Sequence, residues 1–350
     1  MLLAYANRKH IMQVGVFCIK KHTSTIILLL ATLVISCVSV FIGAYDVNLS
    51  GVFSGDYNQV MLMFNSRLPR LLALLCTGIG MSVSGLIMQN LCMNKFVSPT
   101  TGATISSAQL GIVIALLAIP TANLATRTAF AFVTAILGTW IFVLFVQKIK
   151  FKDVIMVPLI GIMFNSVIGG FVTYLAYEND LTQILSNMLI GDFSLVLAGR
   201  YEIVFLILPL VVIAFIYANH FNIVGMGENF SKNLGVNYKI VMFGGLSIAS
   251  VITASVVVTV GTISYIGLIV PNIVAMFKGD KIRGSIFDVA AFGALFVLTC
   301  DIIGRIVIRP FELPIELISG IVGSALFIFI LFKRLHVPKA KKKKEVQADG

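Results

Sequence analysis

The sequence predicts an all-α integral membrane protein with about ten transmembrane helices, and three observations carry that expectation. First, 58% of the 350 residues are hydrophobic and only 12% are charged, with a mean hydropathy of +1.00. A water-soluble domain carries about 25% charged residues, so at half that density much of the surface must face lipid. Second, apolar runs recur that approach the roughly 20 residues needed to cross a hydrocarbon core about 30 Å thick. Third, the basic residues divide unequally between alternate connections, as a multi-pass topology demands.

The apolar runs read as spans at 26–44, 70–91, 102–120, 128–147, 154–177, 201–219, 240–259, 262–277, 285–303 and 315–333. The first is preceded by Arg8, Lys9, Lys20 and Lys21. It is too long for a signal-peptide core and has no small-x-small cleavage site after it, so it reads as a helix that stays. From Ile240 to Phe277 there are 38 residues without a charge. As one helix they would extend about 57 Å, nearly twice the core thickness. The run must therefore turn, and Gly261 between two β-branched runs is the natural place.

With a cytoplasmic N-terminus, 20 of the 26 Lys and Arg fall on the cytoplasmic side. The other side receives Arg67, Arg70, Arg127, Arg200, Arg305 and Arg309, all arginine. That asymmetry puts both termini in the cytoplasm. The organisation is a tail at 1–25, one transmembrane domain at 26–333 with a polar cytoplasmic loop at 219–239, and a basic tail at 334–350. The net charge of +11 owes much to that tail, where Lys339 and Lys341 to Lys344 suit anionic lipid headgroups rather than nucleic acid.

Catalytic and metal-binding patterns are not evident. The five cysteines, Cys18, Cys37, Cys76, Cys92 and Cys300, are scattered without a CxxC pair and read as small apolar residues. His10, His22, His220 and His336 all lie outside the predicted spans. No GxSxG, HExxH or GxxxxGK[ST] occurs; Gly279 to Ser285 comes nearest to the last and lacks its lysine. No catalytic or metal site, and no ATP hydrolysis by this chain, is therefore expected. Carboxylates are scarce in the spans, where an ion-driven carrier would need one. Asp288, Asp301 and Glu316 sit near span ends, and Asp301 has Arg305 at i+4, the spacing of a helix-end ion pair.

Two features read either way from composition alone. Gly78, Ser82 and Gly85, and likewise Gly161, Asn165 and Gly169, make small-residue faces that let helices approach closely. Met226 to Leu234 fits a short helix ended by Gly235, which serves as a connector or as a docking element for a soluble partner.

Four motifs, in order, resemble the iron-siderophore and vitamin B12 permease family of ABC importers. They are Arg67-Leu-Pro-Arg70; Ser84-Gly-Leu-Ile-Met-Gln89 with Asn94 and Pro99; Gly227-Glu228 with Leu234-Gly235; and Gly261-Thr-Ile-Ser-Tyr-Ile-Gly-Leu-Ile-Val-Pro271 followed by Asp301-Ile-Ile-Gly-Arg305 and Glu312-Leu-Pro314. The resemblance runs from about residue 67 to 332 and implies the type II ABC importer permease fold. It also implies a second permease chain (homodimer or heterodimer), two ATPase subunits that bind ATP and magnesium on the cytoplasmic face, and a periplasmic or lipoprotein substrate-binding protein. This chain itself would hold no cofactor. It would serve in a bacterial inner membrane, carrying ferric siderophore of catecholate or carboxylate type by alternating access; haem and cobalamin permeases share the motifs.

By resemblance, Gly227, Glu228, Leu234 and Gly235 couple to the ATPase. Arg67, Arg70 and Arg305 dock acidic patches of the binding protein, with interfacial anchoring the plainer role for the first two. Asp153 and Val154 resemble the cytoplasmic gate. The chain departs from the family at Pro271-Asn272, often Pro-His there, and at Asn94-Lys95, often Asn-Pro. A secondary carrier would instead need a mid-membrane carboxylate, and a membrane transferase a polar catalytic cluster.

Overall fold

A computed structural model describes residues 24–43, 56–149, 156–279 and 282–335, and among these 80% or so of the fold is helix with no strand. The helices are α1 (Ser24–Phe41), α2 (Tyr57–Leu91), α3 (Thr104–Ala118), α4 (Leu124–Lys148), α5 (Met156–Glu178), α6 (Thr182–Leu189), α7 (Ile207–Ile216), α8 (Ala218–Val224), α9 (Glu228–Asn233), α10 (Tyr238–Val260), α11 (Ile266–Lys278), α12 (Ile282–Ile306) and α13 (Ile315–Leu335). Six of them are long and apolar enough to cross a membrane: α1, α2, α4, α5, α10 and α12. The segment Glu202–Ile216 and α8 together form one apolar unit bent by 61°. Helices α3, α11 and α13 are shorter apolar pieces. Every predicted span thus has one helix or bent pair in it, but the length needed to cross is met outright by six.

Helix α2 is the centre of the bundle, with 78% of its most apolar window buried, against 17% for α5 at the periphery. Its small residues explain this. A Cβ on Gly78 would fall 2.6 Å from the backbone of Gly293 and Ala294 in α12, and one on Gly85 would fall 1.9 Å from the Gly267 carbonyl oxygen in α11. Backbones this close exclude any side chain, so the small-residue face of this span is a packing surface. The second face behaves alike: Gly161 lies against the Thr101 carbonyl, and Asn165 bonds Ser106 and the Thr100 carbonyl. Cys76 and Cys300 are buried among apolar neighbours. The exposed side chains of α1, α4 and α5 are largely Leu, Ile, Val, Met and Phe, as a lipid-facing surface requires.

Two predicted boundaries move. The second span was expected to begin at Arg70, yet α2 starts at Tyr57 and runs through both arginines. The arginines do not end the helix because their guanidinium groups are bonded inside the protein, Arg70 to carboxylates and Arg67 to a backbone carbonyl, as described below. Pro69 cannot donate to the helix ladder, and the wider π turn at Met63–Arg67 directly before it accommodates the lost bond. The polar loop was expected from residue 219, yet α8 continues to Val224. Its polar residues conceal buried Phe221 and Val224, and Asn222 accepts the Ile282 N–H at 3.0 Å.

The long uncharged run does turn at Gly261, which has φ +92° and ends α10. The turn is held by Thr262, whose N–H donates to the Met188 carbonyl at 3.2 Å, and by Glu316, which accepts the Ser264 N–H and hydroxyl at 2.7 Å each. Glu316 is therefore a cap for a chain break rather than a mobile charge.

Candidate functional site: two polar ends of an apolar bundle

The expected site residues gather at opposite ends of the bundle. One end carries the arginines of the sequence motifs and the other carries lysines and the Gly227–Gly235 turn.

At the lysine end, Gly227 (φ +108°) and Gly235 (φ +72°) bracket α9. Both conformations favour glycine, and a Cβ at either would meet nothing within 4 Å, so the backbone rather than crowding selects the residue. The short helix is tied to α8 by the buried Ser231 hydroxyl, which donates to the Ile223 and Gly227 carbonyls at 3.2 and 2.8 Å. Its outer face presents Glu228, paired with Lys232 at 2.9 Å, amid exposed Met226, Phe230 and Leu234. The hydrogen bond and charge of Lys232 hold the Glu228 carboxyl below its usual range. Apolar knobs around an exposed charge pair, on a turn stiffened from behind, make a surface suited to a protein groove. At the same end Lys278 bonds Asp288 at 2.6 Å, and Thr25 donates to Asp288 at 2.7 Å, which fastens the start of α1 to α11 and α12. The two residues expected at the gate, Asp153 and Val154, lie outside the described residues.

At the arginine end the three motif arginines come together, but facing inward. Arg70 donates to Asp301 at 2.7 Å and to Glu312 at 2.5 Å. Arg305 pairs with the other oxygen of Asp301 and donates to the Ser39 and Ile42 carbonyls at 2.9 and 2.7 Å. Arg67 donates to the same Ile42 carbonyl at 3.1 Å, and its guanidinium fills the space where a side chain at Gly43 would be. Asp301 thus holds two guanidinium groups, and one knot joins α1, α2, α12 and the turn before α13.

Arg67, Arg70 and Arg305, the arginines expected at the docking face, sit together at one end of the bundle with their guanidinium groups bonded within the chain. They are 7%, 7% and 3% exposed. The sequence carried half of the knot, the i+4 spacing of Asp301 and Arg305; the partnership with Arg70 spans 231 positions and left no local signal.

The two departures from the family pattern also meet. The Asn272 amide donates to the Lys95 carbonyl at 2.8 Å and to the Leu268 carbonyl at 2.7 Å, so α11 is stitched to the turn after α2. Beside this seam a cavity of about 510 Å³ opens between α5, α11 and α13, lined by Phe96, Thr100, Ile162, Tyr265, Leu268 and Phe327 among others.

A helical bundle with an apolar periphery, a braced polar turn at one end and an apolar cavity open at its side is the build of a multi-pass membrane protein. Comparison with known proteins makes the class specific: residues 29–333 match the FecCD transport family, and the chain belongs to it. It is 45% identical over 307 residues to the petrobactin import system permease protein YclN of Bacillus subtilis, covering 88% of this chain and 97% of that one. It is 37% identical to the ferric-anguibactin transport system permease protein FatD of Vibrio anguillarum, covering 87% and 98%. A solved inward-facing conformation assigned to the metal-chelate type of ABC transporter superposes with a TM-score of 0.76 at 23% identity, covering 89% of this chain and 99% of that one, which establishes the fold.

Proposed function

We propose that this chain is the permease subunit of a binding-protein-dependent ABC importer that carries ferric siderophores across a bacterial cytoplasmic membrane. In this reading all ten apolar segments line or brace the path, in the type II importer arrangement, and both termini are cytoplasmic. A second permease chain, identical or a sister, completes the path, and separate ATPase subunits bind ATP and magnesium.

The observation that carries the reading is the exposed Glu228 turn between Gly227 and Gly235, braced by Ser231, in a chain of a transport family. Closure of an ATPase dimer on that turn has a stiff element to push. ATP binding would then rock the paired permease chains so that the path opens to one side at a time, each state selected only by ligands that bind it better. A loaded binding protein would select the outward state. The Asp301 knot would act behind the docking face, keeping α1, α2 and α12 in register. As cargo we favour a catecholate or carboxylate siderophore, in line with the petrobactin and anguibactin named for two relatives.

The deciding experiment is uptake of labelled ferric petrobactin by proteoliposomes holding this chain with its ATPase and binding protein, with and without ATP. Uptake that requires ATP and is lost in Glu228→Lys, with the complex still assembled, is the expected result. Uptake that ignores ATP and follows an ion gradient would sink the importer reading. Import of haem or cobalamin instead would keep the machine and change its cargo.

A further inference from the structure

Two arginines outside the knot converge on one cavity. Arg127, in the first turn of α4, and Arg200, in the turn before α7, line a space of about 540 Å³. Its other walls are the α3–α4 turn at Ala122 and Asn123, the exposed side chains of Leu124 and Leu195, and the last turn of α10 at Val258 and Thr259.

We propose that this cavity is a lipid site, in which the two guanidinium groups hold the phosphate of an anionic phospholipid. Their charge is not compensated among the described residues. Arg127 makes one bond, from Nε to the Ala122 carbonyl at 3.0 Å, and its terminal nitrogens have no partner among those residues. Arg200 forms no ion pair there, and no carboxylate lines the cavity. The carboxylates of the loop that carries Arg200 are engaged by the loop itself. Glu202 accepts the Gly199 N–H at 2.7 Å, and Asp192 accepts the Ser194 N–H and hydroxyl at 2.8 and 2.6 Å. A guanidinium fork matches two phosphate oxygens through parallel hydrogen bonds.

Depth in the bilayer favours a lipid phosphate over a soluble anion. Helix α4 is long and apolar enough to cross a membrane. From Arg127 to Lys148 it extends about 32 Å at 1.5 Å per residue, which matches a hydrocarbon core about 30 Å thick. The two charges therefore mark the two headgroup layers, and Arg127 lies in one of them. Beyond it α4 carries an exposed apolar stripe of Val133, Leu137, Ile141 and Phe145. That surface accepts acyl chains, and the cavity at its end accepts the headgroup that joins them. The frame is fixed before any lipid arrives. Asn123 caps α4 at 2.8 Å, the Asp192 N–H donates to the Val260 carbonyl at 3.0 Å, and the Ala198 N–H donates to the Asn65 carbonyl at 3.1 Å. The loop carrying Arg200 is thereby fastened to α10 and α2.

The test is native mass spectrometry of the full chain, stripped of lipid in detergent and titrated with phosphatidylglycerol or with phosphatidylcholine of the same acyl length. The wild type should hold its first phosphatidylglycerol about tenfold more tightly than phosphatidylcholine, and Arg127→Glu with Arg200→Glu should abolish that preference. Arg127→Lys with Arg200→Lys should keep part of it, because the charge remains while the fork is lost. The melting midpoint controls for folding, and Arg127→Gln with Arg200→Gln carries the test should the reversal lower it. Changing the basic tail at Lys341→Gln, Lys342→Gln, Lys343→Gln and Lys344→Gln should leave the preference in place.

A preference within twofold of the wild type in the arginine variants would overturn the lipid site, as would its loss on the tail changes alone. Equally tight binding of glycerol phosphate, which lacks acyl chains, would overturn it in favour of a free-anion site. Unchanged lipid preference in the reversed pair, with lowered affinity for a substrate-binding protein, would overturn it in favour of a protein partner.

Discussion

Asp301 is the residue on which most depends at the arginine end, because one carboxylate compensates two buried guanidinium groups. Removing one partner of a buried ion pair leaves an uncompensated charge and costs about 3–5 kcal/mol. Asp301→Asn should therefore lower the melting midpoint of the detergent-solubilised chain strongly. Glu312→Gln should cost less, since that carboxylate is 19% exposed and water can replace its bond to Arg70. Equal effects of the two changes would mean that the knot is not organised around Asp301. At the other end the sign of the Glu228 shift matters. Its carboxyl is held below the ordinary range by Lys232, so the pairing is fully present above that range and fails only as pH falls through the lowered value. Uptake measured between roughly pH 6 and 8 should show no titration that Glu228→Gln abolishes.

Among the elements, the contacts of α2 separate necessary glycines from incidental ones. Gly85→Ala would drive a methyl group into the Gly267 carbonyl of α11, with no flexible side chain to yield. Overpacking of this kind costs about 1–3 kcal/mol. Gly244→Ala in α10 meets nothing within 4 Å and removes a flexible residue from a helix interior, so it should be neutral or slightly stabilising. Melting midpoints of the two variants check the contrast, and a Gly85→Ala protein as stable as the wild type would contradict the close α2–α11 packing. The same elements mark what was legible locally. The turn at Gly261 followed from a run too long to cross once, and the helix expected over Met226–Leu234 with Gly235 ending it is α9, Glu228–Asn233. The early start of α2 and the extension of α8 did not follow, because a charge or an amide reads as polar until its distant partner is known. Arg70 needs Asp301, and Asn222 needs the Ile282 N–H.

For the whole molecule, the orientation proposed from the lysine and arginine asymmetry has a direct check. In intact cells, a single cysteine at Ser194 should react with an impermeant maleimide, whereas one at Lys232 should react only after permeabilisation; the reverse pattern would invert the topology. The amino-acid sequence by itself determined the class of the chain, since apolar length and charge asymmetry are properties of single segments in a bilayer. It also located the apolar segments, six of them long enough to cross a membrane, and the turn between Gly227 and Gly235. Only the tertiary structure decided that Arg70 and Arg305 share the Asp301 carboxylate, that the small-residue face of α2 is its packing seam, and that Arg127 and Arg200 line one cavity. The physical reason is the same in each case. A side chain's pattern and type are local, but its burial and its partner depend on which remote segment packs beside it, and that choice is made by the bundle as a whole.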